Sequence, residues 1–243
     1  MFESKFRRVP AVILAAGRSL RMGRNKALLP WPPHGRPCVI HVMDQLRDAG
    51  ADPVAVVTGA YHDAIADVVG DRAVVLFNAR HNEGQLASLQ CGLAWAFSAP
   101  EASWALVTLV DLPGIPSLTM RRLLEAATTA VASDVLAIRP VVGERHGHPV
   151  LWRRDAWPLV RDADPATGAR HVMRHLAATG RVLDVVTEDE SVLRDIDTPQ
   201  DYLEQVKSRK SFPQKKARRE TGFDLKLIRL IAKRCSLLLR NCH

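Results

Sequence analysis

Aromatic side chains are scarce in this 243-residue chain, at 5% of residues, and long apolar runs are missing altogether. Few aromatics leave burial to Ala, Val and Leu, which suits an α/β domain with aliphatic strands. Without some 18 consecutive uncharged apolar residues, no transmembrane helix is expected. The opening MFESKFRRVPAVILAAG has basic residues ahead of an apolar run. That run is too short for a signal peptide and flows into a glycine-rich loop instead of a cleavage site. Cysteine is also sparse: Cys38, Cys91, Cys235 and Cys242 form no CxxC pair. A disulfide framework and a zinc site are therefore not expected, and a reducing, cytoplasmic setting is.

A net positive charge is missing from most of the chain despite a formal total of +8. From Lys207 onward there are twelve Lys and Arg against Glu220 and Asp224, a net of +10, so residues 1–206 carry −2. The body gives no electrostatic argument for nucleic-acid binding. The chain divides accordingly into a domain over 1–206 and a basic C-terminal extension over 207–243. Within the extension, SRKSFPQKKARRETG reads as a linker. Leu225, Ile228, Ala232, Cys235 and Leu239 then share one helical face, so the extension is either disordered or a basic amphipathic helix. Such a helix suits an anionic membrane or an acidic partner.

Within the body, apolar runs alternate with amphipathic ones. Strands are expected over Val9–Ala15, Pro53–Thr58, Ala73–Phe77, Trp104–Val110, Asp134–Val141 and Val182–Val186. Helices are expected over Pro37–Ala49, Tyr61–Val69, Gly84–Phe97, Ser117–Val131, Ala169–Ala178 and Pro199–Val206. In the first helix Val39, Ile40, Val42, Met43 and Leu46 are available for burial, and Gly50 stands just past its end. From His148 the pattern is less regular. The alternation implies an α/β fold, a mostly parallel sheet with helices on both faces.

The most informative segment follows the first strand directly: Leu14-Ala15-Ala16-Gly17-Arg18-Ser19-Leu20-Arg21-Met22-Gly23-Arg24-Asn25-Lys26. Gly17 at the carboxyl end of a strand lets backbone N–H groups approach phosphate oxygens with no Cβ between. Arg21 and Lys26 add charge to offset a polyphosphate. The spacing of Gly17, Gly23 and Lys26 is neither a Walker A motif nor a dinucleotide fingerprint. An ordinary glycine-rich turn with surface cations is the plainer alternative.

This segment resembles the signature loop of the MobA-like NTP transferases. Within them it is most similar to the molybdenum cofactor cytidylyltransferases, and the resemblance runs over most of residues 9–206. It implies a Rossmann-like sheet of the nucleotide-diphospho-sugar transferase type, with Leu14, Ala15, Ala16, Gly17, Arg21, Gly23 and Lys26 around the nucleotide. Four further motifs carry it. In Asn78-Ala79-Arg80-His81-Asn82-Glu83-Gly84-Gln85-Leu86-Ala87-Ser88, the resemblance places Asn78, Gly84 and Ser88 on the nucleotide; the family usually has Trp where His81 stands. Asp111 closes Val107-Thr108-Leu109-Val110-Asp111-Leu112-Pro113, and the matching aspartate in the family is a metal ligand. Mg²⁺ suits such a place, since it binds one or two carboxylates plus substrate phosphates. Capping of a turn is the other reading of Asp111. Gly147-His148-Pro149-Val150 and Gly168-Ala169-Arg170 put His148 and Arg170 toward the acceptor, although His148 is equally readable as structural. In Asp195-Ile196-Asp197-Thr198-Pro199-Gln200-Asp201-Tyr202, Asp197 is the candidate second metal ligand, while Thr198 or Asp197 could instead cap the helix that Pro199 begins. His171 and His175, four apart on a helix, have no third ligand and read as surface residues.

The resemblance implies transfer of CMP from CTP to the phosphate of the molybdopterin molybdenum cofactor, with pyrophosphate leaving. Arg21, Lys26 and Asp111 would do the chemistry, Mg²⁺ would be the cofactor, and a molybdoenzyme would receive the product. Alternatives are a guanylyltransferase, another phosphate nucleotidyltransferase, or a carrier that binds nucleotide and cofactor without turnover.

Overall fold

The computed structural model describes residues 9–210. In chain order these form β1 (Val9–Ala15), β2 (Pro30–Trp31), β3 (Arg36–Pro37), α1 (Cys38–Ala49), β4 (Ala51–Thr58), α2 (His62–Val69), β5 (Val74–Phe77) and α3 (Gln85–Ala96). There follow β6 (Trp104–Leu109), α4 (Ser117–Thr129), β7 (Ala137–Val142), β8 (Arg145–His146), β9 (Val150–Arg153), α5 (Trp157–Arg161), α6 (Ala169–Ala178), β10 (Val182–Val186) and α7 (Pro199–Lys210). Of the expected linker, Ser208, Arg209 and Lys210 are instead the last turn of α7; the rest of it and the expected amphipathic helix lie outside the described residues, as do Cys235 and Cys242. Cys38 and Cys91 are free thiols, and among the described residues no helix is long and apolar enough to cross a membrane.

The main sheet has the order β10-β7-β9-β6-β1-β4-β5, with β8 paired to β7. The pairs β1–β4, β1–β6, β4–β5 and β7–β10 are parallel, whereas β9 runs antiparallel between β6 and β7. Alternation along β1 explains why helices cover both faces. Ala11, Ile13 and Ala15 point into a core with α1, α2 and α4. Val12 and Leu14 point into a second core with Leu89 and Leu93 of α3, Val160 of α5, and Val172 and Leu176 of α6.

The face expected for α1 is the buried one. Val39, Ile40, Val42, Met43 and Leu46 are inside, and Gly50 (φ 102°) ends the helix by donating its N–H to the carbonyls of Leu46 and Arg47. That left-handed conformation carries no penalty in glycine. Most other elements fall within a few residues of expectation, and α6 and β10 match it. The strand expected from Asp134 begins at Ala137. The closing helix continues past Val206 to Lys210. The sequence reading did not resolve β9, α5 or the β2–β3 hairpin. Each is too short to show a period, and β9 is defined by two partners remote in sequence.

The chain builds outward from β1 to β4 and β5, then crosses to β6 on the other side. That reversal opens a crevice beyond the carboxyl ends of β1 and β6, the place where ligands collect in open α/β sheets. Helix α3 packs closely on the sheet face beside it. A Cβ on Gly92 would stand 2.4 Å from Val12 Cγ1 and 3.3 Å from Val57 Cγ2. Gly92→Ala should therefore destabilise the fold by about 1–2 kcal/mol, because overpacking outweighs the helix propensity gained. Urea unfolding checks this, and the loss should largely vanish in a Val12→Ala background.

Candidate active site

The loop after β1 turns sharply to bring Lys26 back over the strand ends. Ser19 adopts φ 51°, left-handed for a residue with a side chain, and Gly23 follows at φ 68°. The Ser19 carbonyl accepts the N–H groups of Met22 and Gly23 (both 3.1 Å), and the Ser19 hydroxyl accepts that of Lys26 (3.3 Å). Asn25 Oδ1 accepts the Ala27 N–H at 3.0 Å, capping a short 3₁₀ turn over Lys26–Leu28. Strain of this kind persists only where the surroundings over-determine it.

From that turn the Lys26 ammonium donates to Asp197 Oδ1 at 2.6 Å and to Asp111 Oδ2 at 3.2 Å, with its side chain only 12% exposed. Arg21, largely exposed, reaches the other oxygen of Asp197 at 2.7 Å. Three of the residues expected to act together are thus in contact around one cation, and Arg21 joins them from the rim. The backbone supports the arrangement. Val110 donates to the Leu14 carbonyl (3.1 Å), and Ile196 donates to the Asp111 carbonyl (2.8 Å).

The capping question at the start of α7 is resolved by a reciprocal pair. Thr198 Oγ1 accepts the Asp201 N–H at 3.2 Å. The Asp201 carboxylate accepts the N–H groups of Thr198 and Asp197 and the Thr198 hydroxyl. Those bonds hold the Asp201 carboxyl below the usual carboxylate range. Thr198 and Asp201 therefore cap the helix, and the Asp197 side chain is left for Lys26 and Arg21.

The cleft beside this cluster, about 270 Å³, runs along Leu14–Gly17 to Ser19, Asn25 and Lys26. Its far wall is made by His81, Gly84, Gln85 and Ser88, and its floor by Leu109, Val110 and Asp111. Gly17 has nothing within 4 Å of where its Cβ would be, so its backbone faces open space. A second cleft, about 330 Å³, is bounded by Arg18, Ser19, Leu20, Arg21, Lys26 and Asp197. The open start of α3 at Gly84 and Gln85 presents the positive end of a helix to the first cleft.

Asn78 lies behind the wall. Its Nδ2 donates to Ser88 Oγ at 3.1 Å and its Oδ1 accepts the Arg80 N–H at 3.0 Å, so it orients Ser88, whose own hydroxyl hydrogen remains to be donated. Gly23 serves the turn. His148 and Arg170 line neither cleft. The His148 N–H donates to the Val192 carbonyl at 3.0 Å, its Nδ1 is buried without a partner, and burial pushes the ring down to about 4, which keeps it neutral near pH 7. Arg170 is exposed on the first turn of α6. His171 is exposed, as expected of a surface residue, and so is His175.

Sequence reasoning missed Ser19 and Asn25, although both stand inside its principal motif. It also missed Gly59, where a Cβ would come within 2.7 Å of the Ala16 carbonyl and 2.6 Å of the His81 ring. A glycine directly after a strand was the available signal.

Asp111 supplies the test of a divalent cation. Its Oδ1 is buried with no hydrogen-bond partner, and burial raises its pKa against the pull of Lys26. A hard oxygen donor left bare beside a second carboxylate fits Mg²⁺. Among the described residues no group of three or more acidic, His or Cys side chains gathers for a metal. A cation held by Asp111 and Asp197 would accordingly need oxygens from its substrate.

The sequence profile described as the MobA-like NTP transferase domain matches residues 11–181. A molybdenum cofactor guanylyltransferase from Xanthomonas euvesicatoria pv. vesicatoria is 39% identical over 115 residues, 46% of this chain and 52% of that protein. This chain therefore aligns with only about half of that relative. The nicotine blue oxidoreductase of Paenarthrobacter nicotinovorans is 32% identical over 200 residues, 78% of this chain and 92% of that protein. The crystal structure of Rv0371c from Mycobacterium tuberculosis H37Rv shares the fold with a TM-score of 0.68 at 24% identity, over 82% of this chain and 97% of that one.

The raised pKa of Asp111 fixes the sign of a stability effect. A folded-state pKa above the unfolded value means the carboxyl weakens the fold as pH rises through that interval, so at neutral pH its buried charge is a cost. Asp111→Asn removes that cost and leaves Lys26 paired with Asp197. The variant should melt no lower than the parent at pH 7, with the difference closing on acidification through the carboxylate range. Thermal melts across pH check this.

Proposed function

Because this chain belongs to the MobA-like NTP transferase family, we propose that it transfers CMP from CTP to the phosphate of the molybdopterin molybdenum cofactor and releases pyrophosphate. The observation that carries a transfer reaction is the Lys26–Asp111–Asp197 cluster beside a cleft floored by strand ends and open at Gly17. In this reading a phosphate oxygen of the acceptor forms a bond to the α-phosphorus while the bond from that phosphorus to the bridging oxygen breaks. The attacking oxygen is already anionic, so no side chain has to remove a proton.

The work of the chain is positioning and charge neutralisation. The backbone of Leu14–Gly17 faces the base and phosphates, Ser88 donates its hydroxyl into the cleft, and Arg21 and Lys26 stabilise the departing pyrophosphate. Asp111 and Asp197 would hold Mg²⁺, which when bound neutralises charge on the reacting phosphates. His148 and Arg170 lie outside the two clefts, and a role toward the large acceptor rests on the motifs that contain them. Retention of Arg21, Lys26 and Asp111 together supports an enzyme over a carrier. A cytoplasmic setting accords with the free thiols of Cys38 and Cys91, and a molybdoenzyme would receive the dinucleotide product.

CTP is supported by Ala15-Ala16-Gly17 and Gly147-His148-Pro149-Val150, which resemble the cytidylyl branch. Ala16 lines the cleft, so its side chain takes space that a glycine would leave to a larger base. GTP is the second reading, favoured by the guanylyltransferase name of the Xanthomonas relative.

The experiment is an NTP panel with purified chain, molybdopterin cofactor and Mg²⁺ or Mn²⁺, following pyrophosphate and dinucleotide. CTP should be preferred over GTP by about tenfold or more in kcat/KM, and Ala16→Gly should move that ratio toward GTP. Equal or better use of GTP by the parent chain reverses the nucleotide assignment. Tight CTP binding with no pyrophosphate from any NTP returns the protein to the carrier class.

A further inference from the structure

The last turn of α7 lies beyond every motif of the sequence, yet one face of this helix touches the three stretches that deliver the charged cluster. Tyr202 donates its hydroxyl to the Pro30 carbonyl. Gln205 donates to the carbonyls of Arg194 and Asp195, both at 3.0 Å, just ahead of Asp197. Arg209 then does two things at once. Its guanidinium stands over the buried indole of Trp31, 5.4 Å from the ring centroid, and it donates to the carbonyl of Gly114.

Trp31 and Gly114 are close in sequence to the cluster residues. Trp31 follows the 3₁₀ turn that begins at Lys26, and its segment is fixed again by the Cys38 N–H on the Leu29 carbonyl at 2.8 Å. Gly114 belongs to the tight turns after Asp111, where Leu112 donates to Leu109 and Ile115 to Leu112. The approach of α7 to this loop is close: a Cβ on Gly114 would lie 3.4 Å from both Arg209 Nη2 and Gln205 Oε1. A planar guanidinium can lie flat on an aromatic ring and donate in its own plane, which an ammonium cannot do.

We propose that Arg209 is a positioning residue: it clasps the Trp31 hairpin to the Gly114 loop and thereby sets Lys26 between Asp111 and Asp197. Only its consequence for turnover rests on the nucleotidyl-transfer reading. The sequence gives residues beyond Val206 no part in the chemistry. By this inference a chain cut there loses the clasp although every motif is kept.

The test reads the cluster directly and needs no substrate. In the full-length chain, amine acetylation followed by mass spectrometry gives the labelling rate of Lys26 against exposed Lys207. In the parent, Lys26 should label far more slowly, since two carboxylates hold its ammonium. Arg209→Ala should raise the Lys26 rate by about tenfold through local opening, at a nearly unchanged melting temperature. Arg209→Lys should fall between the two. Should the alanine variant fold poorly, Arg209→Met keeps bulk over Trp31 without a donor and should show the same rise.

In kinetics, kcat should drop by about tenfold while the KM for the preferred NTP stays within about twofold, because the Leu14–Gly17 backbone is untouched. Unchanged Lys26 labelling in a folded Arg209→Ala or Arg209→Met chain overturns the proposal, as does parental Lys26 labelling as fast as Lys207. A parent chain inactive on every NTP would defeat the transfer reading and leave the labelling result standing.

Discussion

Two carboxylates and one ammonium determine how the carboxyl end of this sheet is built. Asp111 and Asp197 come from segments far apart in the chain and would repel each other; Lys26 lies between them and holds both. Each lone charge would be costly so close to the core; for Asp111 the attraction of Lys26 offsets only part of that cost, and only if the geometry is kept. The loop after β1 must therefore turn back at Ser19 and Gly23. The chain after β6 must reach the cluster at Asp111 and turn away there, and the segment before α7 must lie along it. The Ile196 N–H on the Asp111 carbonyl ties the last two of these together.

Around the cluster, other hydrogen bonds do the structural work and leave Asp197 and Ser88 available. Thr198 and Asp201 cap α7 between them, so Asp197 is not consumed as a cap. Asn78 bonds to Ser88 and to the Arg80 backbone, which braces the wall of the cleft without lining it. The partnerless buried atoms include Asn25 Nδ2 and Asp111 Oδ1, on residues that line the cleft. Buried polar groups are rarely left unpaired without a cause, and a ligand that brings its own oxygens supplies one.

Much of this organisation was legible beforehand because it is local. The buried stripe of α1, the stop at Gly50 and the strand–helix alternation through β6 follow from side-chain periodicity over a dozen residues or fewer. The loop from Leu14 to Lys26 was legible because glycine and cations after a strand have a direct chemical reading. By contrast, β9 depends on β6 and β7, which flank it in space and not in sequence. Gly59 matters because His81 and Ala16 press on it from two other segments.

By itself, the sequence determined which residues could carry charge to a phosphate, and in what order the strands and helices would be made. Composition, period and turn chemistry act over short distances and need no knowledge of neighbours. Tertiary structure alone decided that Lys26, Asp111 and Asp197 meet, that Asn78 braces while Ser88 faces the cleft, and that His148 is tucked against Val192 outside it. It also decided that α7 continues to Lys210 and closes over Trp31. These outcomes depend on sheet order, because only the crossing from β5 to β6 brings the end of β6 alongside the end of β1. Contacts between segments so far apart in the chain become fixed only when the packed core fixes the strands.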